Sequence, residues 1–566
     1  MKTEFAIRLM YSNVEGGSRE PAKLWNLVKT TAANDHPVSL FAVINNALIF
    51  LGAMNGKLHS ELESEFADAD LKKALAQSRA AADGPVVLFN RPAHLIALRL
   101  LLGISHADGT DDSMTRVGEL TLHVNDYVES PEEIWERDPD LLEIIANFAP
   151  VWELLNPRDV FQLFVRTYLL LTEHVATHEG MTTLITEQLG TAPRDLLLDG
   201  LKIEDYLALV FGIFTNVRNA VVNDKTCIID IDQFFRVMTL PLEGLKRFLE
   251  RRSGDAETFY NELNVTPSDA DEFAPYITNG AKAMDATVIK QRPIFRRTDG
   301  RHSVLDARFL IELLSTTLYW TIFDSIPEKK ARNTFSTMWG ECFESFVLDE
   351  LEFFYPKSSP ILRTRVPIDD GEVDAMLDFG NFVVVFEIKS GLLAKDPRLM
   401  RDPKELRSEL HKKLVDRTGV WQLVKAVRAI AGGEVETSVK GCRIYPVLIG
   451  DDPILQCFTA NRYLDEQFTS QLTDRPPNVA PLTAMLIDEL EAALPYFCSN
   501  EMGWRDTLDA RFDAGGVSPD SFHTTLTTMR AEKKIAPRKN EFLSEHGTRI
   551  GKLILDRYRF GETQSK

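Results

Sequence analysis

Residues 373 to 389 read Val-Asp-Ala-Met-Leu-Asp-Phe-Gly-Asn-Phe-Val-Val-Val-Phe-Glu-Ile-Lys, and this stretch constrains the fold more than any other. Two apolar runs, 373–379 and 382–388, flank Gly380-Asn381, a strong signal for a tight β-hairpin. If those two residues are the whole turn, Phe379 pairs with Phe382, Asp374 stands opposite Glu387, and Glu372 stands opposite Lys389. Directly opposed side chains share a face and lie ~5 Å apart at Cβ. Lys389, two residues beyond Glu387, shares that face as well. Two carboxylates and a lysine therefore converge at one end of an otherwise apolar hairpin.

Such convergence is costly unless something uses it. Opposed like charges destabilise a sheet, and half-buried carboxylates resist ionising. A hard divalent cation relieves both penalties, because Mg²⁺ accepts one or two carboxylates and keeps several waters. The metal polarises a phosphate and lowers the pKa of a bound water. Asp374 and Glu387 are thus candidate ligands for Mg²⁺ or Mn²⁺, with Lys389 placed to orient water or stabilise charge. The bland reading is a polar rim in which Lys389 merely pairs with Glu372.

Upstream, apolar residues at 335, 338, 339, 342, 343, 346, 347, 351 and 354 have the spacing of an amphipathic helix. Its stripe (Phe335, Met338, Trp339, Phe343, Phe346) is expected to pack on the sheet. Glu344 falls on the flank of that stripe, whereas Glu341 points further toward solvent. With this helix ahead of Asp374 and Glu387-Ile388-Lys389, the chain resembles the PD-(D/E)XK, or restriction-endonuclease-like, nuclease superfamily over residues 300–495. Asp374 matches that family's Asp, Glu387-Ile388-Lys389 its (D/E)-x-Lys, and Glu344 its first-helix acidic residue.

The resemblance continues downstream. Residues 406–430 read as helix, broken near Thr418-Gly419, and carry Gln422 where RecB-like members use a glutamine at the site. The tyrosine those members carry four residues later is alanine here, Ala426. Residues 442–449 read as a strand whose Pro446 points to an edge or a bulge. Residues 481–494 read as a last strand running into a helix.

Net charge argues partly against a nucleic-acid enzyme, for the chain carries −20 overall. The charge is uneven, however. Residues 101–160 hold 14 Asp or Glu against 3 Arg, a net −11, whereas 389–428 hold 11 Lys or Arg against 5 Asp or Glu, a net +6. Lys395, Arg398, Arg401, Lys412 and Lys413 in the basic stretch are candidate phosphate contacts. A second basic cluster, Lys290, Arg292, Arg296, Arg297 and Arg301, surrounds a candidate Thr298–Arg301 hairpin turn.

The 566 residues have room for several domains. The fold expected is α+β and multidomain. A mainly helical sensor or interaction domain spans 1–285, an α/β/α nuclease-like domain 286–498, and a helical appendix 499–566. Expected helices of the first part include 94–104, 141–155, 160–178, 203–222 and 233–251. The most apolar window, 40–54, is too short to span a bilayer, and the N-terminus lacks a secretory leader pattern. Five cysteines without C-x-x-C spacing fit reduced thiols in a cytoplasm and argue against the four-cysteine iron–sulfur cluster of some RecB-like nucleases. No P-loop is present. His174 and His178 stand one helical turn apart, a zinc-compatible spacing with no evident third ligand.

The resemblance implies a metal-dependent endonuclease acting on DNA, of the kind used in bacterial restriction and anti-phage defence. A protein partner or self-assembly through the helical half is compatible with it. A different class also fits, namely an assembly protein that keeps a nuclease-like fold as a docking module. Completeness of the Asp, Glu and Lys set favours the enzyme.

Overall fold

The computed structural model describes residues 7–8, 19–31, 35–53, 55–81, 86–104, 113–128, 159–231, 238–278, 285–356, 360–369, 371–393, 403–472, 476–499, 501–513, 516–517 and 522–557. Within these the architecture is α+β. The expected helix at 141–155 lies outside the described residues, as does part of 233–251, whose described portion becomes helical only at Leu242, after Pro241.

The N-terminal half is built on long helices, among them Asp35–Leu51, Arg91–Ile104 and Ile203–Asp224. The apolar window at 40–54 forms most of the first, and its two asparagines are buried rather than wetted. Asn45 donates to Leu305 O and Asp306 Oδ2, and Asn46 to Val304 O. Asp306 also holds the buried Arg91 guanidinium at 2.8 Å. The stretch around residue 305 is therefore knitted into the N-terminal core, although the sequence assigned it to the following domain. Short strands Ile228–Ile229, His302–Val304, Ile294–Arg296 and Ser253–Gly254 form a small sheet beside it. The Thr298–Arg301 turn forms as expected, with Arg297 N donating to Arg301 O at 2.9 Å. Its basic cluster is matched by carboxylates: Lys290 meets Glu312, Arg292 meets Glu262, Arg296 meets Asp255, and Arg297 and Arg301 share Asp299.

Helix α1, Val160–Leu169, continues into a wider π-type turn, Leu170–Val175. The chain then breaks, and α2, Glu179–Leu189, restarts with His178 as its N-cap, Nδ1 accepting from Met181 N. Helix α3, Lys329–Phe354, is the long helix expected upstream of the hairpin. Its stripe is buried apart from the half-buried Met338, and the helix packs on the strands Phe382–Lys389 and Ile361–Ile368 as expected, but its aromatics also meet other helices. Phe335 and Trp339 pack on Tyr319, Phe346 meets His174 and Phe542, and Met338 reaches Gly180. The reason is that α3 is buried on more than one side, with Cys342, Leu348, Glu350 and Leu351 also covered. Periodicity identifies a buried face without saying what covers it.

A five-stranded sheet follows: β1 Ile361–Ile368, β2 Gly371–Asp378, β3 Phe382–Lys389, β4 Arg443–Gly450 and β5 Thr483–Leu486. The spatial order is β5-β4-β3-β2-β1. The first three strands form an antiparallel meander, whereas β4 and β5 run parallel to β3. Parallel neighbours require crossovers. Helix α4, Gly419–Gly432, supplies the first and α5, Phe458–Leu472, the second. Every residue of β2 from Val373 and of β3 up to Ile388 is buried, as expected of central strands covered on both faces. Pro446 is not on an edge strand, because β4 has neighbours on both sides. It lies in the gap between the Ile444–Val479 bridge and the ladder starting at Val447–Thr483, where the extra residue is on the 479–483 side, while its pairing with β3 is unbroken. There the missing N–H costs no ladder bond.

The last strand runs straight into α6, Ile487–Cys498. The C-terminal residues are mainly helical, as expected, and pack back on the rest of the chain. Trp504 is buried against Phe386 and Phe497, and α7, Glu541–Leu555, places Phe542 against α3. Helix α1 is joined to α6 by Arg166, which meets Asp488 at 2.8 Å and Glu491 at 2.5 Å with all three side chains buried. No helix among the described residues is long and apolar enough to cross a membrane.

Candidate active site

Gly380 adopts φ +84°, which an L side chain rarely tolerates, and this lets the two-residue turn close. Gly380 N donates to Asp378 Oδ1 at 2.8 Å, and Phe379 N to Phe382 O at 3.0 Å. The Phe379 and Phe382 rings stack at 4.4 Å. From there the ladder runs Asp378–Val383, Leu377–Val384, Met376–Val385 and Ala375–Phe386, the register the sequence implied. One step further Asp374 falls opposite Glu387. The backbone ladder gives way at that step, and Asp374 Oδ2 accepts from Ile388 N at 2.7 Å.

Both carboxylates are buried, Asp374 at 3% exposure and Glu387 at 1%. Lys389 turns toward them instead of toward Glu372. Its Nζ forms an ion pair with Glu387 Oε1 and lies 3.8 Å from Asp374 Oδ2. Burial pushes the Glu387 carboxyl up to about 8, reinforced by the Asp374 charge and opposed by Lys389. Burial likewise raises Asp374, against the pull of Lys389 and the Ile388 amide. Burial works against the Lys389 ammonium, but the Glu387 and Asp374 charges outweigh it and hold its pKa above the usual value.

Glu344 stands at the rim of this cluster. Burial raises its pKa, and the charge of Asp374 adds to the effect. It is held by Arg365 of β1, whose Nε is 3.3 Å from Glu344 Oε1. Glu341 lies further toward solvent than Glu344, as expected, with its side chain 53% exposed against 18%, and His178 Nε2 bonds its Oε2 at 2.9 Å. His174 lies 3.7 Å from Asp349, so both histidines engage acidic residues of α3. Between these histidines and the sheet lies a cleft of about 550 Å³, bounded by His174, His178, Glu341, Glu344, Arg365 and Glu372. The cluster of Asp374, Glu387 and Lys389 borders it through Glu344 and Glu372.

The remaining candidates fare differently. Gln422 is half-buried on α4, which packs on β3 and β4, but its amide makes no hydrogen bond to the carboxylates or Lys389 among the described residues. The stem of Lys413 lies beside Gly391, two residues past Lys389. Lys412 is exposed, 3.9 Å from Glu409. Lys395, Arg398 and Arg401 lie outside the described residues. Sequence reasoning missed Arg365 and the His178–Glu341 contact. Neither left a signal in the sequence, since one depends on a backbone angle and the other on docking of distant segments.

Among the described residues, no group of three or more His, Cys, Asp or Glu side chains is arranged to hold a metal ion. Two carboxylates nevertheless suit a cation that keeps most of its waters, as Mg²⁺ does. The fit is supported by Glu387 Oε1, which accepts no hydrogen bond beyond its ion pair with Lys389 among the described residues. The burial that resists ionisation of both groups is the penalty a bound cation removes.

Comparisons with known proteins add no family. No family model matches the chain, no curated protein is significantly similar to it, and no solved structure matches its fold.

Proposed function

We propose that the protein is a metal-dependent phosphodiesterase, in the first place a DNA endonuclease of the kind bacterial restriction and anti-phage systems use. The observation that carries this reading is the burial of Asp374 and Glu387 side by side, balanced by Lys389, next to a cleft. Burying two carboxylates together costs several kcal/mol of stability in general terms and is retained where they act. Asp374 and Glu387 would hold Mg²⁺ or Mn²⁺. When bound, the ion supplies Lewis-acid polarisation of a phosphoryl oxygen and a more acidic water. Lys389 keeps its proton and orients the attacking water or offsets charge on the phosphorane. Glu344, with its raised pKa, accepts a hydrogen bond from that water. Water adds to phosphorus in line, a P–O bond breaks, and the leaving oxygen takes up a proton. Lys412 and Lys413 hold flanking phosphates, which would make binding weaken steeply with salt.

One observation favours a second reading. Lys389 already neutralises part of the acidic pair, so the triad is stable as a purely structural feature of a docking module. Plasmid DNA incubated with the full chain and Mg²⁺ or Mn²⁺ separates the two. Cleavage by the wild type that is lost in Asp374→Asn and in Lys389→Ala, with folding retained, supports the nuclease. Undiminished cleavage by an Asp374→Asn, Glu387→Gln double variant would falsify the assignment, and an inert wild type under every metal favours the docking module.

A further inference from the structure

We propose that Arg365 is a phosphate-binding residue of this site, released from Glu344 when a phosphodiester enters the cleft; the proposal rests on the nuclease reading. Arg365 has φ +49°, a left-handed conformation that a long side chain rarely adopts, in the middle of a strand. The β1–β2 ladder pairs Thr364 with Ala375 and Val366 with Val373, and Arg365–Asp374 is absent between them. The register is the same on both sides, so no residue has been inserted. The distortion is confined to the position opposite Asp374. In the same row across the sheet, Asp374 has Arg365 on one side and Glu387 on the other.

Backbone strain at one residue persists where the surroundings impose it and often marks a working site. Here it accompanies an exposed guanidinium on the wall of the cleft. The only hydrogen-bond partner of that guanidinium among the described residues is Glu344, through one contact of 3.3 Å. A guanidinium carries five N–H donors in a fork suited to two oxygens of a phosphate, so most of its capacity faces the cleft. The carboxylates of Glu341, Glu344 and Glu372 stand on its walls beside His174 and His178, and the buried Asp374 and Glu387 lie behind Glu344. A phosphodiester entering it meets repulsion from every carboxylate. Arg365 and Lys389 are the cations set among those carboxylates, and Lys389 is committed to its ion pairs. Exchange of Glu344 for a non-bridging phosphate oxygen keeps Arg365 paired and frees the Glu344 carboxylate to meet the attacking water.

The test uses the strain itself. Arg365→Gly removes the guanidinium while supplying the residue best suited to φ +49°, so thermal stability should hold or rise. Cleavage of a fluorescein-labelled DNA duplex should fall on the order of 10²-fold in kcat/KM, by analogy with loss of one donor at a charge-developing centre. Without divalent metal, the logarithmic salt slope of duplex binding measured by anisotropy should shrink by about one. Arg363→Gln, on the same strand but bonded to Glu436 O at 2.7 Å, is the charge-matched control and should cleave normally. Wild-type rates and an unchanged salt slope in Arg365→Gly would overturn the proposal while leaving the nuclease standing. An inert wild type whose duplex affinity still drops on Arg365→Gly would sink the nuclease reading and support the phosphate contact. An inert wild type with no such drop overturns both.

Discussion

Lys389 is a counter-ion the chain carries with it, and it sets how Asp374 and Glu387 behave without metal. Because Lys389 balances the carboxylates, the fold does not need the ion. If the protein is the nuclease proposed above, EDTA should therefore abolish cleavage yet shift the melting temperature little, which calorimetry with and without chelator will show. The proton on Glu387 has a second consequence. With its pKa pushed up to about 8, the group must lose a proton to ligate a cation, so metal affinity should climb as pH rises toward 8 and level off above it. Mn²⁺ titrations at several pH values would reveal this, and a flat profile would count against Glu387 as a ligand. Stability moves the other way. The folded protein keeps a proton on Glu387 that the unfolded chain loses near its ordinary pKa of 4.5, so stability declines as pH rises from there to about 8. Glu387→Gln removes that dependence, and its melting temperature should gain on the wild type between pH 5 and 8. At this scale the sequence was most readable for Asp374, Glu387 and Lys389, because a period of two and a two-residue turn dictate who faces whom. Arg365 was invisible, since nothing in Thr364-Arg365-Val366 announces a positive φ.

Among the elements, α1, α3 and α6 meet around a buried cluster in which one arginine faces several acids. Arg166 binds Asp488 and Glu491, while Glu350 of α3 is bonded to Asn540. Burial pushes Glu350 up to about 7 and raises Glu491 well above its ordinary range. Removing one partner of a buried pair leaves an uncompensated charge, which costs roughly 3–5 kcal/mol. Arg166→Ala should therefore lower unfolding free energy by about that amount in urea titrations. The loss should be smaller at pH 5, where the released carboxyls are protonated. The succession of strands was legible from the hairpin to the strand that runs into α6, but β1, ahead of the hairpin, went unread. What covers α3 was not legible, because aromatic spacing marks a buried side without distinguishing a sheet from Tyr319 or Phe542. The proline of β4 misled in part for the same reason, as its missing N–H can be spared at a bulge inside a sheet as well as at an edge.

Across the whole molecule, the sheet is wrapped by segments far away in sequence. Residues 303–307 are bonded into the first helices, His174 and Thr167 reach α3 and Leu314, and Phe542 returns to α3. A fragment comprising 329–498 would expose Phe335, Trp339 and Phe346 together. It should bind a hydrophobic dye and lack cooperative unfolding, whereas the full chain should unfold cooperatively; a fragment that folds alone would show that the wrapping is dispensable. These long-range contacts left no local trace in the sequence, which is why the boundaries read from composition did not match the packing near residue 305. Strand β3 lies at the centre of all this, paired along its whole length with β4 and sharing its other edge with β2. Its amides can meet solvent only when much of the molecule opens. In deuterium, the peptide carrying Val383 to Ile388 should be among the last to gain mass, so the carboxylate proposed to hold the metal sits on one of the slowest clocks in the protein.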